Sequence, residues 1–185
     1  MATMDAYLWA QDWLSFIEKE NDHKPHIYQM LKGPIAAAPA KPEVAAFLAN
    51  PDVPPMVRMN HLYNIGVAQA DTGDDTSAEA NFTRVIDISD AEMSEDDIFR
   101  YVAESHRFGI WWRKARLSDD PEVKLDTYQR VLVYARQRVE TLQFHDELRI
   151  NLARWGWNAA VAMGDDEAAE MFRAIATSEP RTRLF

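Results

Sequence analysis

Apolar side chains recur at intervals of three and four over long stretches of this chain, and strict alternation is nearly absent. A helix that buries one stripe repeats every 3.6 residues, whereas a half-buried strand repeats every second one, so the pattern predicts an all-α chain. From Met4 to about Lys19, Tyr7, Ala10, Leu14 and Ile17 form one stripe and Trp9, Trp13 and Phe16 an adjacent one. That arc is too wide for a free surface helix. The tryptophan stripe either packs on the following hairpin as a cap or meets a second copy of the chain, with Trp9, Trp13 and Phe16 as the oligomer interface. Gly33 to Pro42 reads as a Pro/Ala-rich connector, extended where Pro39 and Pro42 constrain it. A short helix near Glu43–Leu48 and a proline-rich break at Pro51–Pro55 follow. Ile98, Tyr101, Val102, Phe108, Gly109 and Trp112 mark one face of a helix from about Glu95 to Arg116, with Ser94 and Asp97 as its cap. Leu117 to Pro121 breaks it, and Pro121 suits the first turn of the next helix. There Leu125, Tyr128, Leu132, Ala135, Val139 and Leu142 repeat at three, four, three, four and three.

Two further stretches share a more specific spacing. Leu62, Ile65, Gly66 and Gln69 are followed by a break at Gly73-Asp74, then by Ala78 and Phe82. Nearer the C-terminus, Leu152, Trp155, Gly156 and Ala159 are followed by Gly164, then Ala168, Phe172 and Pro180. A glycine inside a helix costs roughly 1 kcal/mol against alanine, so each asks for a close neighbour. Gly66 and Ala78 are expected where the two antiparallel helices approach most closely. This spacing resembles the tetratricopeptide repeat: a large residue, Leu-Gly, Tyr, a turn, Ala-x3-Phe, then Pro. Gln69 and Ala159 stand where the family has Tyr, Asp90 where it has Pro, and Gly164 falls one residue later than Gly73 does. The stretch between echoes the architecture, Phe108-Gly109 matching Ile65-Gly66, without the Ala-x3-Phe element.

The resemblance implies a right-handed α-α superhelix of about three hairpins over residues 51–180. An N-terminal helical cap with its connector is expected before it over 1–50, and after it a tail over 181–185, either a short disordered end or one whose Leu184-Phe185 tucks onto the last helix. It also implies protein binding, in a concave groove lined by the first helix of each hairpin. Carried across position by position, the groove holds Asn60, Tyr63, Asn64 and Val67, then His106, Arg107 and Ile110 with Arg113 a turn on. From the last hairpin come Ile150, Ala153, Arg154 and Trp157. Relatives that grip a C-terminal carboxylate use Lys and Asn at two positions held here by Tyr63 and Val67, so that ligand is not implied.

Charge sharpens the expected partner. Residues 1–99 carry six basic and seventeen acidic side chains, residues 100–154 eleven and eight, within a formal net charge of −10. The basic, aromatic-rich run Arg100 to Arg116 suggests an acidic peptide or protein segment, held by Arg107, Arg113 and Arg154. The overall negative charge disfavours nucleic acid and anionic membranes. The alternative is a homo-oligomeric structural or regulatory subunit, assembled through the aromatic N-terminal helix.

Catalytic chemistry finds no constellation. Cysteine is absent, and with it thiolate metal sites and cysteine nucleophiles. His23 and His26, near Asp22, lack a companion metal-ligand set, and Pro25 between them opposes a regular helical turn. The carboxylate clusters Asp74-Asp75, Glu95-Asp96-Asp97 and Asp165-Asp166-Glu167 fall at expected helix starts, where capping and the dipole explain them. The expectation is a non-enzymatic chain with no catalytic residue, metal or cofactor. No run approaches the roughly 20 apolar residues of a membrane span, and the N-terminus lacks a signal-type core, so a cytoplasmic protein is expected.

Overall fold

A computed structural model of the chain describes residues 24–93, 98–142 and 146–178. Among the described residues there are eight α-helices and no strand. In chain order they are α1 (Lys24–Ala37), α2 (Pro42–Ala49), α3 (Pro55–Thr72), α4 (Asp75–Glu92), α5 (Ile98–Leu117), α6 (Pro121–Thr141), α7 (Asp146–Met163) and α8 (Asp166–Ala176). They fall into two compact units, Met1–Arg107 and Phe108–Phe185, with the division inside α5.

In the first unit α3 and α4 form an antiparallel hairpin whose turn is set locally. Gly73 takes φ 88°, a conformation that costs glycine nothing, and its N–H and that of Asp74 close the end of α3 onto Ala70 and Gln69 carbonyls. The Asp74 carboxylate then accepts from the Ser77 N–H at 3.1 Å and starts α4. Hydrogen bonding from the Ser77 side chain, and then from its N–H, holds the Asp74 carboxyl below the usual range. Met59, Leu62, Ile65 and Ala68 of α3 meet Ala78, Phe82 and Val85 of α4, all completely buried. Burying a ring such as Phe82 contributes about 1.5–3 kcal/mol. The limiting contact at Gly66 is this ring and not Ala78, since a Cβ added there would lie 2.8 Å from Phe82 Cε1.

The Gly33–Pro42 segment differs from its expected extended form. It stays helical to Ala37 with Pro34 inside α1, then makes a 3-10 turn over Ala38–Ala40. Pro34 removes one hydrogen-bond donor, but burial of Ile35 and Ala38 in the packing of α1 on α3 outweighs that loss. Gln69 fastens the contact, donating to the Ala36 carbonyl at 3.2 Å while its oxygen accepts from Asn81 at 2.7 Å. Only Lys41, just before Pro42, keeps the extended backbone that a following proline favours. Val44 and Leu48 then bury one stripe of α2.

In the second unit, Pro121 occupies the first turn of α6, as the sequence predicts, and Asp120 caps the helix by accepting from the Glu122 N–H. The buried stripe of α6 runs through Thr127, Val131, Leu132, Ala135, Arg138, Val139 and Leu142. It includes Leu132, Ala135, Val139 and Leu142 of the predicted stripe and departs from it at the start of the helix, where Leu125 is 52% exposed. The α7–α8 hairpin repeats the turn chemistry of α3–α4. Gly164 has φ 71°, Asp165 N–H reaches the Ala160 carbonyl, and the Asp165 carboxylate accepts from Ala168 N–H. It repeats the packing as well: a Cβ on Gly156 would lie 2.6 Å from two atoms of the Phe172 ring.

Candidate partner-binding face

On the first unit, α3 brings Asn60, Tyr63, Asn64 and Val67 onto one half-buried side, because residues three and four apart share a helix face. The N-terminal half of α5 adds His106. Its Nε2 shares a 2.9 Å hydrogen bond with the Tyr63 hydroxyl, and its ring stacks on Phe82 at 5.4 Å between centroids. Tyr63 also meets Phe99 edge-on at 6.4 Å, and Asn64 donates to Asn60 at 3.1 Å. The face is thus aromatic in its middle and lined along α3 by carboxamides. Loss of water against Phe82 pushes the His106 pKa below its ordinary value, and the carboxylate of Asp71 opposes this weakly.

Arg107, predicted to point into the same groove, is only 8% exposed, and its Nη1 donates to Thr83 Oγ1. Arg100 is equally buried and pairs with Asp90 and with the fully buried Glu104. The basic run of the sequence is therefore not one surface. Its first two arginines are consumed inside the first unit, where desolvated charges require such partners.

On the second unit the predicted positions divide differently. Ile110, Ile150 and Ala153 are 4%, 7% and 0% exposed, so they fill the interior and present nothing to a partner. Arg113 is exposed, Arg154 is exposed and bonded to Asn151, and Trp157 is half-buried. Trp112 packs between Tyr128 and Trp155. Trp9, Trp13 and Phe16, and with them the expected oligomer interface, lie outside the described residues, as do the cap at Ser94 and Asp97 and the tail at 181–185.

One feature of this unit escaped the sequence reading. Trp111 and Tyr134 floor a hollow of about 320 Å³ whose rim carries Arg130, Asp126 and Val133. The Arg130 guanidinium lies 5.9 Å from the Trp111 ring, and Val133 is 61% exposed on an otherwise polar side of α6. The signal in the sequence was an apolar residue beyond the width of one stripe.

Among the described residues, no group of three His, Asp or Glu side chains is placed to hold a metal ion, and no helix is long and apolar enough to cross a membrane. No family model, no curated protein and no solved structure matches the chain.

Proposed function

We propose that the chain is a tetratricopeptide-like protein-binding module that receives an extended segment of a partner on the α3 and N-terminal α5 face of its first unit. The observation that carries this is the meeting of Tyr63 and His106. The tetratricopeptide resemblance implies a groove position for both, forty-three residues apart, and they share a hydrogen bond on a part-exposed face. The chemistry suits a peptide main chain. Asn60 and Asn64, bonded to each other, line α3 with carboxamides, the group whose donor and acceptor pattern complements a peptide unit. Tyr63 supplies a rigid amphipathic surface that loses little entropy on binding.

Selection of a displayed random-peptide library against the whole chain tests this. Enriched peptides are expected to lose at least about tenfold in affinity for Tyr63→Ala with Asn64→Ala, a difference of about 1.4 kcal/mol, while circular dichroism stays unchanged. Enriched peptides that bind the double variant as tightly as the wild type would remove this face from consideration.

A further inference from the structure

Resting on that reading, we infer that the segment received by the Tyr63–His106 face is cationic, an extended peptide with lysine or arginine between apolar residues. The sequence had pointed to an acidic one. The reversal comes from where the arginines go. Arg58 is buried, donating to the Val53 carbonyl and to Glu92. Arg100 and Arg107 are buried on Asp90, Glu104 and Thr83. Among the described side chains of this unit, the cations left at the surface are Lys32 and Lys41, both half-buried, and Arg84. Carboxylates take the opposite course, with Asp52, Asp71, Asp74 and Asp87 all exposed. The imbalance extends to composition: residues 1–107 hold 8 Lys or Arg against 18 Asp or Glu, while residues 108–185 hold 12 of each.

The face itself agrees with this field. Asp71 follows Asn64 by two turns along α3 and lies within Coulomb reach of His106. Tyr63 and Phe99, paired edge to face, are aromatic rings of the kind over whose faces an alkylammonium or guanidinium packs favourably. Desolvation lowers the pKa of the histidine and so favours its neutral form, which does not compete with a cation. A glutamate-bearing segment would approach against the field of this unit and meet no exposed cation among the described residues of the face. A lysine-bearing one is drawn in and finds aromatic surface for its alkyl stem.

Fluorescence anisotropy of three labelled heptapeptides with the full chain decides the matter. Each alternates leucine with one polar residue: lysine, glutamine or glutamate. The lysine peptide is expected to bind about tenfold more tightly than the glutamine peptide at low salt, with the gap closing at about 0.5 M salt. Asp71→Asn should cost the lysine peptide about threefold and leave the glutamine peptide unchanged, while Tyr63→Ala should weaken both. Tighter binding of the glutamate peptide, still lost in Tyr63→Ala, would overturn the cationic inference and leave the peptide-binding face standing. Lysine-peptide binding indifferent to both substitutions would mark non-specific attraction and overturn the inference. Failure of all three peptides to bind would overturn the inference and the face together.

Discussion

The α3–α4 and α7–α8 hairpins solve one packing problem with the same residues and then diverge on their outer sides. Each sets a glycine of its first helix against a phenylalanine ring of its second, and each turns on a left-handed glycine followed by an aspartate cap. Three residues past the packing glycine, however, stands Gln69 in one and Ala159 in the other. Gln69 and Asn81 form a buried polar clamp, whereas Ala159 is completely buried and Met171, the counterpart of Asn81, is 37% exposed. Three residues before the glycine, Tyr63 reaches the surface and Ala153 does not. A shared backbone arrangement therefore does not carry a shared surface. The first hairpin brings Tyr63 to a half-buried face, whereas the second buries Ile150 and Ala153 at the positions of Asn60 and Tyr63 and leaves Arg154 exposed.

Removing the rings should disturb this likeness most. Phe172→Ala and Phe82→Ala should each cost about 3–5 kcal/mol in urea unfolding, because a completely buried ring leaves a cavity. Only Phe82→Ala should also disturb the Tyr63–His106 pair, read as loss of peptide binding under conditions where the variant remains folded. Equal effects of the two on binding would erase the functional contrast between the hairpins.

Filling the glycines comes next. Gly156→Ala and Gly66→Ala should each destabilise by about 1–2 kcal/mol, overpacking against the ring outweighing the gain of about 1 kcal/mol in helix propensity. Gly156→Ala should be the worse, since its Cβ would lie 2.6 Å from the ring against 2.8 Å at Gly66. Pairing Gly156→Ala with Phe172→Leu should recover part of the loss. If Gly156→Ala raised the melting temperature, the close approach would not be what holds glycine there.

The polar clamp gives a comparable effect with a different rescue. Asn81→Ala strands the Gln69 oxygen in a buried site and should cost about 1–3 kcal/mol. Combining Gln69→Met with Asn81→Leu makes the first hairpin resemble the second and should return most of that stability. A double variant no better than the single one would show that Gln69 acts chiefly through the Ala36 carbonyl.

The smallest effect is on pH dependence. The pKa of His106 is lower folded than unfolded, so over the window below about 6.5 the unfolded chain binds more protons. The fold therefore loses stability as pH falls through that value, and the loss levels off below the folded pKa. The His106→Gln chain should lose less between about pH 7 and 5 in thermal unfolding, with Tyr63 otherwise in place. Parallel pH profiles for the two proteins would contradict the desolvation of this ring.

What could be read from the chain was local. Gly73 and Gly164 as turns, Asp74 and Asp165 as caps and Pro121 as a first-turn residue depend on neighbours within a few positions. Other features depended on partners far along the chain. Pro34 sits inside α1 because α3 supplies the burial, which no proline rule contains. Arg58 and Arg100 are buried because Glu92 and Asp90 wait for them, although a charged residue reads as surface by default. Leu125 continues the heptad and yet faces water, since the seam of α6 is chosen by α7 and not by its own repeat. Ile110, Ile150 and Ala153 were placed on the groove by correspondence with α3, and on α5 and α7 those positions are buried.

Sixteen residues separate Gly66 from Phe82, and sixteen separate Gly156 from Phe172, although the turning glycine comes seven residues after the first and eight after the second. The bend is thus free to slide along the chain by one residue without unseating the ring. An inserted or deleted residue is another matter, because it rotates the second helix by about 100° and carries the ring off its seat. Lineages of this chain should accordingly vary in the residues at the bend and hold its length fixed.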